Sequence, residues 1–296
     1  MYFSGSVYCR RFGVRNVKKW KRWLILAGIL LCAAGYCVWQ NTALERTDYT
    51  VTGGKLPEAF DGFCIVQISD LHNTVFGSHN ERLLAMIQEA EPDIIAVTGD
   101  MIDSRRTDVT AALEFARAAM EIAPCYYVTG NHEMRDEAYE ELEAGLIEAG
   151  VTVLRGKSVT LEREGAKLRI AGVDDPTART KDSDAFPAVM TGMLVSLTDE
   201  SYTVLLSHRP ELFDIYQTFG MDLVLAGHTH GGQIRLPFIG GLYGSDTFFP
   251  EYDAGLFERE GTAMIVSRGL GNSLFPLRIN NRPEVVVITL RMGEPS

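Results

Sequence analysis

The chain has 296 residues, of which 46% are apolar and 23% charged, an ordinary globular composition with material for one large domain or two small ones. Seven of its 28 basic residues (Arg10, Arg11, Arg15, Lys18, Lys19, Lys21 and Arg22) precede its first acidic residue, Glu45; the remainder sets 21 cations against 39 carboxylates, a formal charge of −18. A body of that sign argues against nucleic acid as a partner, because such binding rests on neutralising phosphates.

Residues 1–22 read as a basic arm. Trp23 to Trp39 is then free of charge for 17 residues, near the short limit for crossing a bilayer. Tryptophans at both ends suit interfacial anchors, and the upstream cations predict a cytoplasmic N-terminus. The competing reading is a cleaved signal peptide, but no small-x-small site follows the run. The expectation is a single-pass anchor over 23–40 in the cell membrane, a linker and edge strand (Tyr49-Thr50-Val51) over 41–60, and one folded domain over 61–296 outside the cytoplasmic face.

Phe63 to Ile68 predicts a strand that ends in Ser69-Asp70-Leu71-His72. A helix follows from about Asn80, a plausible cap, to Ala90. Ile94 to Val97 predicts the next strand, ending in Gly99-Asp100-Met101-Ile102-Asp103. A helix around 109–120 leads to the strand Tyr126-Tyr127-Val128, which ends in Gly130-Asn131-His132-Glu133, and another helix spans about 136–149. Strand, polar turn, helix, repeated three times, argues for parallel strands joined by helical crossovers. Shorter strands are predicted over 151–154, 159–163 and 168–173, then a helix near 184–197. Thr203 to Leu206 runs into Ser207-His208, a helix covers about 210–219, and Leu223 to Ala226 runs into Gly227-His228-Thr229-His230-Gly231-Gly232-Gln233. A loop rich in glycine and aromatics (238–252) and strands at 263–266 and 284–290 complete the chain. Cys64 and Cys125 lie in apolar runs and read as buried free thiols.

Five of the six histidines therefore stand just past strand ends, beside carboxylates. In parallel sheets ligands bind beyond the carboxyl ends of the strands. Taken together, Asp70, His72, Asp100, Asp103, Asn131, His132, His208, His228 and His230 supply carboxylate, amide and imidazole donors and no cysteine. That inventory suits two divalent ions (manganese, iron or zinc) better than a structural zinc site.

The motifs Ser-Asp-Leu-His, Thr-Gly-Asp-Met-Ile-Asp, Thr-Gly-Asn-His-Glu, Leu-Ser-His and Ala-Gly-His-Thr-His-Gly-Gly-Gln, in that order, resemble the calcineurin-like metallophosphoesterases from about residue 60 onward. The extended 227–237 motif, Ser267-Arg268-Gly269-Leu270-Gly271 and Asn281-Arg282-Pro283-Glu284 resemble the membrane-bound phosphohydrolase branch related to UDP-diacylglucosamine pyrophosphohydrolases. The resemblance implies a mixed α/β fold, a four-layer αββα sandwich of two mixed sheets flanked by helices. It implies that Asp70, His72 and His230 hold one metal, that Asn131, His208 and His228 hold a second, and that Asp100 bridges them. His132 is implied as general acid, oriented by Asp103; the alternative for Asp103 is a solvated turn residue.

Protein phosphatases of this superfamily place a phosphate-gripping arginine directly after the aspartate at 103. Here that position is Ser104, which favours a phosphodiester or pyrophosphate substrate over a protein monoester. Arg209, Arg235 and Arg268 are the candidate substitutes for that grip. The aromatics of 238–252 read either as local core or as an apolar lip admitting a lipid headgroup. Nothing in the sequence calls for an obligate protein partner. A non-catalytic, metal-stabilised scaffold is the alternative function, and such a relative is expected to have lost ligands that this chain retains.

Overall fold

The structure, a computed structural model, describes residues 14–244, 247–272 and 275–293, with side chains from Trp20 onward. The basic arm read over 1–22 falls outside the described residues as far as residue 13. Two units are distinct, residues 1–39 and 40–296. The first consists of the helix α1, Val14–Thr42, which continues into the second. From Trp20 to Thr42, 23 residues with a mean hydropathy of 1.7, α1 is long and apolar enough to cross a membrane.

The second unit contains two six-stranded mixed sheets. In the first, β1 (Glu45–Gly53) runs parallel to the last strand, β16 (Glu284–Met292), which runs antiparallel to β2 (Cys64–Ile68). Beyond β2 lie β3 (Ile94–Thr98), β4 (Cys125–Val128) and β5 (Thr152–Val153), all parallel. The second sheet begins at β6 (Lys157–Arg163), antiparallel to β7 (Ala166–Gly172), followed by parallel β8 (Thr203–Leu206), β9 (Leu223–Ala226) and β15 (Thr262–Val266), with β14 (Gly255–Arg259) antiparallel at the far edge. Two small hairpins lie between, β10 (Arg235–Leu236) with β11 (Gly240–Gly241), and β12 (Tyr243–Gly244) with β13 (Thr247–Phe248).

Successive side chains on a strand point to opposite faces, and here both faces are covered. Ile65, Ile94 and Val128 face Leu206, Leu225 and Ile265 in a core between the sheets. On the outer face of the first sheet, Val66, Ile95 and Tyr127 meet α2 (Glu81–Gln88), α3 (Val109–Met120) and α4 (Tyr139–Glu148) through Leu83, Phe115 and Leu142. On the outer face of the second, Leu205, Val224 and Met264 meet α5 (Phe186–Leu194) and α6 (Phe213–Thr218) through Met190 and Phe213. The four-layer sandwich expected from the sequence is the fold observed. Burial on both faces explains why β2, β3, β8 and β9 are largely apolar, with no regular polar alternation.

Local expectations were less accurate. The edge strand near Tyr49 is nine residues long, and β14 went unread. Asn80 does not cap α2 through its side chain; its Oδ1 accepts from Phe76 N–H instead. Cys64 and Cys125 are free thiols, as expected, but only Cys125 is fully buried; Cys64 is partly exposed.

Candidate metal centre

Each predicted site residue sits immediately past a strand: Asp70 and His72 after β2, Asp100 and Asp103 after β3, Asn131 and His132 after β4, His208 after β8, His228 and His230 after β9. The chain must turn sharply there. Asp70, His72, Asp100, His228 and His230 all adopt positive φ, between 44° and 73°, a conformation costly for residues other than glycine and concentrated at functional sites. Two glycines permit the crowding. A Cβ on Gly130 would strike Asp100 Oδ1, and one on Gly227 would strike Ser69 Oγ.

These turns bring the donors of both sheets together. Asp70, His72 and His230 present ligand atoms within 4.8 Å of one another, as do Asp100, His208 and His228, and also His72, Asp100 and His132. His72 Nε2 lies 3.2 Å from His230 Nε2 and 3.5 Å from Asp100 Oδ2. His230 Nε2 is 3.5 Å from Asp70 Oδ1, and His208 Nε2 is 3.2 Å from Asp100 Oδ2. Asp100 thus stands between the two groups, and every named side chain except that of His228 is buried.

Burial makes neutral rings of three histidines: it pushes His72 down to about 4 and holds His228 and His230 well below the ordinary imidazole value. Neutral imidazoles are the form that ligates metal. Against a burial penalty, His208 and His72 hold Asp100 well below the usual carboxylate range. Burial works against protonation of His208 too, yet Asp100 and Asp70 raise it to about 10; the paired carboxylates call for positive charge at this point. His208 Nδ1 lies 2.7 Å from the Thr98 carbonyl, to which it donates, leaving Nε2 to face the carboxylates. Buried Asn131 Oδ1 and His208 Nε2 have no hydrogen-bond partner among the described residues. Orphaned lone pairs converging on two carboxylates fit divalent cations and suit little else.

His132 shares the site, with Asp103 and Ser104 beside its Nδ1. Asp103 Oδ1 stands 3.5 Å from His132 Nδ1, whereas Ser104 N–H and Ser104 Oγ both lie at 3.1 Å. Asp103 also grips Arg105, accepting from its Nε at 3.1 Å and from its terminal nitrogen at 3.3 Å. Each of the three arginines proposed from sequence has an acidic partner. Arg209 pairs with Asp175 and donates to His228 Nε2 at 2.8 Å; Arg235 pairs with Asp253; Arg268 pairs with Glu45 and Glu284. The cleft over the site, about 640 Å³, is lined by two other arginines, Arg105 and Arg135, and by Ile234, Leu242, Tyr243 and Phe248.

Two residues that hold the site were not singled out from the sequence. Glu133, wholly buried, accepts from the N–H groups of Asp100, Ile102 and Gly130 and so ties the turn after β3 to that after β4. Ser69 donates to Asp70 Oδ2 at 2.6 Å. Their positions beside the motifs were the available signal.

Known families match this architecture. The calcineurin-like phosphoesterase pattern matches residues 64–232, the stretch running from β2 through both histidines of the last motif. The chain belongs to that family. It is a metal-dependent phosphohydrolase, and its candidate metal donors are those grouped around Asp100. It is 31% identical over 275 residues to the uncharacterised metallophosphoesterase YkuE of Bacillus subtilis, covering 90% of this chain and 93% of that one. It is 29% identical over 238 residues to the phosphodiesterase YaeI of Escherichia coli, covering 77% and 82%. A zebrafish (Danio rerio) protein described as a transmembrane protein with a metallophosphoesterase domain is 30% identical over 254 residues, covering 83% of this chain but 57% of its own length.

Proposed function

We propose that this protein is a membrane-anchored, two-metal enzyme that hydrolyses a phosphodiester or pyrophosphate bond of a lipid-linked substrate. The observation that carries the reading is the convergence of Asp70, His72, His208, His228 and His230 around Asp100, from turns of both sheets. In this reading Asp70, His72 and His230 hold one cation, Asn131, His208 and His228 hold the other, and Asp100 touches both. Divalent cations bound there would supply Lewis acidity toward phosphoryl oxygens and lower the pKa of an adjacent water.

The remaining work belongs to the chain. A protonated His132, with Asp103 Oδ1 3.5 Å and Ser104 Oγ 3.1 Å from its Nδ1, can give its Nε2 proton to a leaving oxygen and remain as the neutral ring with its other proton on Nδ1. Burial keeps that ring below its ordinary pKa against the pull of Asp100 and Asp103. Arg105, steadied by Asp103, and Arg135, whose side chain has no hydrogen bond or ion pair among the described residues, give the cleft positive charge for a substrate phosphate. Ile234, Leu242 and Phe248 form a wall that excludes water and accepts apolar substrate. The reading makes α1 the anchor, residues 41–60 the link to the catalytic domain, and the seven N-terminal cations the mark of the cytoplasmic side. The E. coli relative's description as a phosphodiesterase supports the diester over a monoester.

Purified protein loaded with manganese, iron or zinc should hold two ions per chain and hydrolyse bis(p-nitrophenyl) phosphate. Asp100→Ala should lose both properties together. An Asp100→Ala protein that keeps two ions and full activity would falsify the bridging assignment.

A further inference from the structure

Exposed apolar side chains lie as a rim on the segments that border the cleft. The hairpins after β9 carry Phe238, Ile239, Phe248 and Phe249, and the segment before β16 adds Phe275; Phe238 is completely exposed and Phe248 is 68% exposed. Phe248 and Phe275 also line the cleft. Phe238 and Phe249 sit at positive φ, 68° and 53°, an outlying conformation for bulky side chains. The chain therefore bears backbone strain to present these rings to solvent, where single exposed apolar residues gain nothing.

The hairpin that carries Phe238 and Ile239 connects indirectly, through residues 278–281, to Gln40 and Asn41. Arg235 N–H donates to the Ile279 carbonyl at 2.9 Å, and Ile234 bridges Ile279. Two residues on, Asn281 N–H donates to Gln40 Oε1 at 3.0 Å. Asn41 Oδ1 accepts from Arg278 N–H at 3.2 Å and from Asn272 Nδ2 at 2.8 Å. Arg278 is fully buried and donates to the carbonyls of Arg268 and Gly271 and to Asn272 Oδ1, which fixes the segment that carries Phe275. Within the unit 40–296, its first residues and the segments next to the aromatic rim are thus linked by hydrogen bonds. α1, whose last turn is Gln40 to Thr42, is the one helix among the described residues long and apolar enough to cross a membrane.

We infer that this rim is a bilayer-docking surface: Phe238, Ile239, Phe248, Phe249 and Phe275 insert at the lipid headgroup level and hold the cleft mouth against the membrane. Exposed aromatics at an interface gain from burying their rings among acyl chains, and the partner is a lipid surface because the segments next to the rim are linked to residues at the end of the apolar helix. The inference concerns this surface and does not depend on metal binding.

The test uses the full chain in phosphatidylcholine–phosphatidylglycerol vesicles, with photoreactive p-benzoylphenylalanine replacing Phe238, Phe249 or, as a control, the exposed Ile147 of α4. Lipid adducts should form at 238 and 249 about tenfold more than at 147. Equal labelling at the three positions, or protein adducts in place of lipid adducts at 238, overturns the proposal. In a second arm, Phe238→Ser with Ile239→Ser should leave hydrolysis of soluble bis(p-nitrophenyl) phosphate unchanged and slow hydrolysis of a vesicle-embedded phosphodiester about tenfold. Equal loss on both substrates, or loss on neither, counts against docking. Cross-linking reads no activity, so it stands or falls separately from the phosphohydrolase assignment.

Discussion

Replacing Asp175 with alanine strips Arg209 of its bidentate partner while leaving the guanidinium in place. The pair is deeply set: the Asp175 side chain is wholly buried and that of Arg209 is 8% exposed, with Nε to Oδ2 at 2.6 Å. Removing one member of a buried pair costs about 3–5 kcal/mol. At about 2–4 °C per kcal/mol for a domain of this size, the melting temperature should fall by about 6–20 °C. Asp175 also accepts from Thr177 N–H at 2.9 Å, so some of that fall belongs to a lost cap. The double variant Asp175→Leu with Arg209→Met shares the lost cap but removes both charges, and should recover most of the stability. It should not recover the metal site: His228 Nε2 loses the Arg209 donor at 2.8 Å, and partners beyond the ligand shell are worth about 10–100-fold in metal affinity. Thermal melts followed by circular dichroism, with metal content of the same samples by mass spectrometry, separate the two effects. If Asp175→Ala melts within about 2 °C of the parent, or if the double variant is no better than the single, the pair is not the support claimed here.

Two further outcomes are expected. His132→Ala should slow hydrolysis of esters with alkyl leaving groups about 10²–10⁴-fold and spare p-nitrophenyl esters, whose leaving group needs no proton; parallel losses in a leaving-group series would remove the acid. Glu133→Gln puts an amide where three N–H groups converge. Losing one charged hydrogen bond should destabilise the fold by about 1.5–3 kcal/mol, read by urea denaturation, and an unchanged midpoint would contradict the tie between the β3 and β4 turns.

Much of this architecture was legible because buried parallel strands cannot hide. Ile94 to Val97 and Leu223 to Ala226 are apolar on both faces, Ile65 to Ile68 is broken only by the buried Gln67, and each is followed at once by its polar donors. β1 was harder, since Glu45 to Gly53 alternates exposed with partly buried residues and is charged at its start. β14 carries Phe257 and Glu258 beside a glycine and reads as loop. The donor set was legible by position, but the partners of long side chains were not. Arg209, Arg235 and Arg268 looked available because Asp175, Asp253, Glu45 and Glu284 come from other elements or distant turns. Asp103 was read with His132 because motif order puts them together, and its carboxylate stands beside both that ring and Arg105.

The donors also divide by origin: Asp70, His72, Asp100 and Asn131 follow strands of the first sheet, whereas His208, His228 and His230 follow strands of the second. A cation held there is a rivet through the seam of the sandwich. Neither half alone can complete its cage, so metal capture waits on the docking of the sheets and then opposes their separation. Chelation should accordingly loosen the whole body, lowering its melting temperature by an amount that grows with the logarithm of free metal removed.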